Sequence, residues 1–259
     1  MIDSEKVIEY IKRDANYIKS IENPTKEMAS IAISQNASLI RFIKNPCEDL
    51  KWQALKSNPW TIEYIENPTE EMCFYTVENA WNALKFIKKP SEKTIKKAIE
   101  IKGWAIQFVD NPSIELQRIA VKKDADSIKY LKNPSEEIKI LAVKKDWSYI
   151  KHIKNPSFEV QLEAIKVKEE AMTYIKELTE EKVIAFLRAN FKIVKYLNKD
   201  YEDLVKKVVI NELSKEDVNK DFILDFIKIE TLNINKFKFF HKFGSMRAKA
   251  IFVDYNLGM

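Results

Sequence analysis

The apolar and polar positions of this chain repeat with a period of 22 residues. Within each period, apolar residues stand at positions 6, 10 and 11, and again at positions 18 and 21. In the sixth period the first set is Leu116, Ala120 and Val121. Because this spacing places the side chains on one stripe of an α-helix, it predicts a first helix. The second set predicts a shorter helix of about eight residues. Each period is therefore interpreted as a two-helix repeat.

Proline marks the same place in seven successive periods. These residues are Pro24, Pro46, Pro68, Pro90, Pro112, Pro134 and Pro156. Residues 1–22 extend the register as a first copy, with Ile2 in the proline position, and residues 177–198 extend it as a ninth, with Leu178 there. An unbroken period of this kind predicts a tandem structural repeat.

The start of each period has the composition of a helix N-terminus. Asn precedes six of the prolines, Ser or Thr usually follows, and an acidic residue such as Glu136 comes next. We interpret Asn as the N-cap, Pro as the first helical residue and the acidic residue as part of a capping box. Ser as the cap is an open alternative. Asp or Asn recurs at position 14, as in Asp14 and Asn36, and predicts the cap of the second helix.

A helix of about eight residues is not stable alone in water, so it must stack on neighbouring repeats. We therefore predict an all-α fold, a right-handed α-solenoid of about nine 22-residue repeats over residues 1–198. Ala at position 10 predicts close contact between first helices. Residues 199–259 are expected to form a degenerate tenth repeat and a C-terminal helical cap, and they contain a Lys- and Phe-rich segment, residues 236–243.

The repeat resembles short HEAT-type or variant leucine-rich-type helical repeats, in which a Pro-Ser-Glu-Glu start precedes an Ala-Val helix. It also resembles tandem repeats of uncharacterised bacterial and phage proteins. The resemblance covers residues 1–198 and implies an α-solenoid with a binding role. It is compatible with a phage or bacterial inhibitor of a host protein, and it transfers no functional residue to this chain.

Composition and charge narrow the classes of protein. No apolar run approaches the roughly 18 residues of a membrane-spanning helix, and no secretory signal opens the chain, so a cytoplasmic protein is expected. The net charge is +5, and its excess lies in residues 111–198, which carry 17 basic and 13 acidic side chains. Cys47 and Cys73 lack the partners of a disulfide framework or a zinc site, so both are interpreted as small packing residues.

The sequence carries no recognisable catalytic motif. His152 stands where other repeats have Phe or Tyr, and His241 has no acidic or cysteine partner at metal spacing. Three glycines are too few for a phosphate-binding loop. We therefore expect no enzyme activity, metal, cofactor or small-molecule substrate.

Three features are candidates for a binding surface. Tryptophans stand just before the second helix, at positions 15 or 16, and Phe or Tyr forms a ladder at position 20. Lysine pairs stand at positions 12 and 13 of two consecutive repeats. The candidate residues are Trp60, Trp81, Trp104, Trp147, Lys122, Lys123, Lys144 and Lys145. Each feature also has a purely structural interpretation: packing between repeats, a partly buried seam, or a solvated edge.

Two functions follow from these features. The first is a scaffold that binds a macromolecular partner, with a protein partner preferred because residues 1–110 carry 16 basic and 16 acidic side chains. The alternative is a nucleic-acid-binding solenoid that uses its lysine-rich face. The scarcity of arginine argues against readout of base edges, but leaves contact with phosphates open.

Overall fold

The computed structural model describes residues 4–232 and 234–258, and within these ranges the chain is helical without strands. Ile2, which fills the proline position of the first repeat, lies outside the described residues. Each repeat folds as an α-helix followed by a 3-10 helix, and within each of two compact units successive repeats pack on one another. The predicted all-α solenoid is confirmed; its right-handedness and its exact number of repeats stay predictions.

The α-helices of the nine repeats are ten residues long. They are α1 (Ser4–Arg13), α2 (Lys26–Gln35), α3 (Glu48–Ser57), α4 (Glu70–Asn79), α5 (Glu92–Ile101), α6 (Ile114–Lys123), α7 (Glu136–Lys145), α8 (Phe158–Val167) and α9 (Glu180–Ala189). The 3-10 helices that follow them are η1 (Ala15–Ser20), η2 (Ala37–Phe42), η3 (Pro59–Tyr64), η4 (Trp81–Phe86), η5 (Gly103–Phe108), η6 (Ala125–Tyr130), η7 (Trp147–His152), η8 (Glu169–Tyr174) and η9 (Phe191–Tyr196). The remaining helices are η10 (Lys199–Tyr201), α10 (Glu202–Leu213), α11 (Lys220–Lys228), α12 (Lys236–Phe243) and α13 (Met246–Leu257).

The chain divides into two compact units, residues 1–132 and residues 133–259. In the first unit, each α-helix packs on the next and each 3-10 helix packs on the next, from the first repeat to the sixth. In the second unit, the seventh to ninth repeats stack in the same way, and α10 packs on α9. The sequence boundary predicted after residue 198 falls inside this second unit.

The start of the α-helix differs from the preferred prediction. Ser or Thr at position 3 is the N-cap, as in Ser157, whose Oγ accepts a hydrogen bond from the Val160 backbone N–H at 3.2 Å. The alternative cap is thus confirmed, whereas Asn as cap, Pro as first helical residue and the capping box are wrong. Asn instead makes the turn before the helix. Asn45, Asn67, Asn111 and Asn155 have φ of 47–49°, a left-handed backbone that Asn tolerates better than most residues.

The second helix is six residues of 3-10 helix rather than the eight predicted. Position 14 joins the two helices, as predicted. In Asn36, the backbone N–H donates to the Ala32 carbonyl at the end of α2, while its side chain accepts from the Ser38 N–H at the start of η2. One residue therefore closes the first helix and begins the second.

The core lies between the two layers of helices. The small residue at position 10 is fully buried in six repeats: Ala32, Ala54, Ala98, Ala120, Ala142 and Ala164. Position 18 is buried in all nine repeats, as predicted, with Ile40 and Ile128 as examples. Position 21 follows the 3-10 helix as its C-cap residue, and it is only partly buried in several repeats, such as Ile43. The predicted stripe therefore ends one residue beyond the helix.

Aromatic side chains pack at the end of the repeats. Phe191 of η9 is buried against Phe222 and Phe226 of α11, with ring centroids 4.9 and 5.7 Å apart. Phe226 also contacts Phe240 of α12. The Phe-rich segment of residues 236–243 thus contributes side chains to an aromatic cluster in the second unit.

The N-cap predicts unequal effects of the same substitution in two neighbouring repeats. Ser157→Ala removes a capping hydrogen bond and a bond to Glu136, and should lower the free energy of unfolding by about 1 kcal/mol. Ser135 makes no cap bond and its buried Oγ has no partner, so Ser135→Ala should change stability little. Denaturant unfolding of the two variants measures the difference. Equal losses would contradict the assignment of the cap.

Candidate binding surface

The tryptophans and the aromatic ladder form one surface in the first unit. Each tryptophan packs against the position-20 ring of the next repeat. The pairs are Trp60 with Phe86 at 5.8 Å, Trp81 with Phe108 at 6.3 Å and Trp104 with Tyr130 at 6.4 Å between ring centroids. We call these six residues the aromatic seam. The second unit repeats the arrangement once, with Trp147 and Tyr174 at 6.4 Å.

The four candidate tryptophans, Trp60, Trp81, Trp104 and Trp147, are partly buried. Packing between repeats, which was one of the two open interpretations, therefore holds for each of them, and part of each ring also stays accessible. Tryptophans at position 15 and at position 16 make the same kind of contact, because each one reaches the position-20 ring of the next repeat. A half-buried row of rings held by neighbouring repeats is a pre-ordered apolar surface.

Cations flank the seam. Lys85 Nζ lies 5.2 Å from the ring centroid of Trp60 and 4.7 Å from that of Phe86. Lys129 Nζ lies 4.6 Å from Trp104 and 5.0 Å from Tyr130. Such contacts are attractive because the face of an aromatic ring is electronegative. Sequence reasoning did not place these lysines against the rings, although the recurrence of a basic residue directly before the position-20 ring is a visible signal.

Trp104 is the most constrained residue of the seam. Its Nε1 donates a hydrogen bond of 2.6 Å to Asp126, and the ammonium groups of Lys102 and Lys129 lie 4.5 and 4.6 Å from its ring. Burial opposes ionisation of Asp126, but the hydrogen bonds from Trp104 and Lys129 outweigh it, so the pKa of this carboxyl is lowered from 3.8. These contacts restrict the orientation of the Trp104 ring.

Gly103 makes the neighbouring contact possible. A Cβ there would lie 2.5 Å from the Ala120 carbonyl oxygen and 2.6 Å from Ser127 Oγ, which is too close for any other residue without movement. Asp124 does not cap η6, unlike the equivalent residue of most repeats. Its carboxylate instead accepts from the Gly103 N–H at 2.7 Å and from Lys102 at 3.0 Å. Polar contacts thus join the fifth repeat to the sixth at this point.

The four residues of the predicted lysine patch are divided between the two compact units. Lys122 and Lys123 lie in the first unit, Lys144 and Lys145 in the second, and all four are exposed. Lys144 forms an ion pair with Glu163 at 3.1 Å. Glu163 also accepts from Lys166, and this hydrogen bond is the main cause of the lowered pKa of the buried glutamate. Part of the positive charge expected from the sequence is therefore neutralised locally.

A basic groove lies elsewhere in the second unit, lined by residues of the seventh, eighth and ninth repeats. It has a volume of about 1010 Å³ and runs along the turns that end these repeats. Its lining includes four lysines and one glutamate: Lys151, Lys154, Lys176, Lys182 and Glu177. His152 also lines it and is exposed, as are Phe42 and Tyr174 at the same position of their repeats.

The described residues offer few other groups with chemical reactivity. Within the described ranges, no cluster of three His, Cys, Asp or Glu side chains is placed to hold a metal ion. Cys47 and Cys73 are free thiols, the first exposed and the second buried, and burial raises the pKa of Cys73. Among the described helices, none combines the length and the apolar character needed to cross a bilayer.

The contact between Trp104 and Asp126 predicts a pH-dependent contribution to stability. Because the pKa of Asp126 is lowered in the folded state, its contribution is present at neutral pH and is lost as the pH falls through and below 3.8. Asp126→Asn should lower stability by about 1 kcal/mol at pH 7 and by less in acid. Thermal melts across this range measure the difference. Asp110→Asn, at an exposed carboxylate of the same unit, is the control, and an equal effect there would contradict the assignment.

Comparison with known proteins finds no relative of this chain. No protein-family model, no curated protein and no solved structure matches it. The resemblance of its repeat to HEAT-type or variant leucine-rich-type repeats therefore stays a prediction. The function of the chain has to be inferred from its own side chains and their geometry.

Proposed function

We propose that the chain is a non-catalytic scaffold that binds a protein partner through the aromatic seam of its first unit. The observation that carries this proposal is the row of three successive contacts between a tryptophan and the ring of the next repeat. Tryptophan, tyrosine and arginine dominate the binding energy of protein interfaces. The seam offers the aromatic members of this set on a rigid support.

The fixed positions of the seam side chains favour binding, in addition to their aromatic character. Trp104 is held by Asp126 and by two lysines, so it loses little rotational freedom when a partner covers it. The charges beside the seam are of both signs, because Lys102 pairs with Asp124 and Lys129 pairs with Asp126. A partner surface with apolar and mixed polar groups fits it better than a polyanion does.

The proposal predicts that the seam tryptophans, rather than tryptophan in general, determine partner capture. The double substitution Trp81→Ala and Trp104→Ala should reduce the recovery of specific partners from a cell lysate by roughly tenfold or more. Recovery is measured by affinity purification with quantitative mass spectrometry, followed by titration of the purified partner. Thermal melts show whether both variants are folded.

Trp52→Ala is the matched control. Trp52 lies on α3 in the same unit, is also partly buried, and also contacts a ring of the next repeat, Tyr75, at 5.6 Å. It stands in the α-helical layer, outside the seam. If the control loses as much partner as the seam variant, or if the folded seam variant loses none, the seam is not the binding surface.

A second candidate function is supported by the groove of the second unit. Four lysines against one glutamate make it a site for phosphate groups, so a nucleic-acid backbone is its best candidate ligand. Its position does not coincide with the predicted lysine pairs. Lys122, Lys123, Lys144 and Lys145 line no part of it.

This candidate predicts that single-stranded nucleic acid binds at low salt and that the logarithm of its affinity falls with the logarithm of the salt concentration. Reversing Lys151, Lys154 and Lys176 to Glu should abolish binding, whereas reversing the four residues of the predicted lysine patch should weaken it less. Fluorescence anisotropy titrations at two ionic strengths measure both effects. Absence of binding at low salt, or a stronger effect of the patch, would exclude the groove.

A further inference from the structure

The last helix has two apolar faces, and only one of them is covered. Ala248 of α13 is fully buried, and the ring of Phe252 stacks on Phe240 at 4.4 Å. These side chains attach the helix to the rest of the second unit. Four other apolar side chains of the helix, Met246, Ala250, Val253 and Leu257, are exposed.

The uncovered face is a regular stripe. Met246, Ala250, Val253 and Leu257 are separated by four, three and four residues, which places them on one line along a helix of 3.6 residues per turn. They lie on the opposite side of α13 from Ala248 and Phe252. Met246 is 78% exposed, Val253 50% and Leu257 68%. This spacing is that of the seam between two paired helices.

The helix that carries the stripe is well defined at both ends. Ser245 caps its start by accepting from the Ala248 N–H at 3.2 Å. Gly258 ends it in the left-handed conformation, with φ of 74°. The stripe therefore spans the full helix, from Met246 to Leu257.

The stripe is flanked by one positive and one negative side chain, which can pair with those of a second copy. Arg247 stands near the N-terminal end and Asp254 near the C-terminal end, on the same side of the stripe, seven residues apart. Both are exposed, and no ion pair joins either to another side chain of the described ranges. If a second α13 packs antiparallel against the first, each Arg247 faces an Asp254 and each Asp254 faces an Arg247. In a parallel pair about a two-fold axis, these sides of the two stripes would lie on opposite sides of the interface, and neither charge would face its complement.

We propose that α13 pairs antiparallel with α13 of a second copy of this chain, about a two-fold axis. In this arrangement Met246 packs against the partner subunit's Leu257, and Ala250 against the partner subunit's Val253. Small Ala250 near the axis lets the two helices approach closely. The same patch serves both copies, as in an isologous interface. Since one 12-residue helix per subunit buries little surface, the dimer is expected to be weak and to dissociate on dilution.

Sedimentation velocity over a dilution series tests the proposal directly. The wild-type chain should pass from dimer to monomer as it is diluted, and Val253→Glu should be monomeric throughout because it places two carboxylates in the apolar stripe. Val167→Glu introduces the same change at an exposed valine of α8 and should leave the dimer intact. A wild-type chain that is monomeric at every concentration would overturn the proposal, as would a dimer unaffected by Val253→Glu.

The charges provide a second test, which does not depend on disturbing the apolar stripe. Arg247→Glu and Asp254→Lys should each weaken self-association about tenfold, because each places like charges opposite one another. An equimolar mixture of the two variants should associate as tightly as the wild-type chain, because both ion pairs are restored in the mixed dimer. A mixture that associates no better than either variant alone would show that the helices do not pair antiparallel. Circular dichroism confirms that each variant retains its helical structure.

Discussion

Every repeat of this protein contains six residues of 3-10 helix, and this element cannot persist alone. Its hydrogen bonds are poorer than those of an α-helix, and runs this long are uncommon. It is held at its start by the residue at position 14, which also closes the preceding α-helix, and on its sides by the 3-10 helices of neighbouring repeats. Stacking is therefore a condition for the second half of each repeat to exist. The small buried residue at position 10 and the buried aliphatic residue at position 18 follow from this requirement, because both layers must approach closely.

The sequence predicted the repeat, the cap at position 14 and the main buried positions, because these depend on spacing along one chain. It did not resolve the start of the α-helix. Asn before Pro has the chemistry of an N-cap and equally the chemistry of a left-handed turn, and only the backbone conformation separates the two roles. The length of the second helix was overestimated for a related reason. An apolar residue at position 21, such as Ile43, is equally suited to the last turn of a helix and to the residue that follows it.

The candidate surface could be predicted in parts but not as a whole. Tryptophans and position-20 rings were recognised separately, yet the contact of Trp81 with Phe108 depends on the displacement between repeats, which sequence spacing does not contain. Charges were the least predictable feature. Lys144 belongs to a lysine-rich segment, but its neighbour in space is Glu163 of the next repeat. A run of lysines in the sequence therefore overstates the positive potential of the surface where the next repeat places a carboxylate against it.

The seam joins only residues that are about one repeat apart, since each tryptophan meets a ring of the following repeat. Contacts of such short range along the chain favour rapid folding, and they make the surface modular. Within the first unit, the three tryptophan–ring pairs of the seam can form one after another as repeats are added during synthesis, before the whole unit is complete. Local unfolding at one end of the unit would likewise break the outermost pair and leave the inner pairs assembled. The area available to a partner thus depends on how many repeats are folded, so that a partner that contacts several pairs would itself stabilise the folded unit.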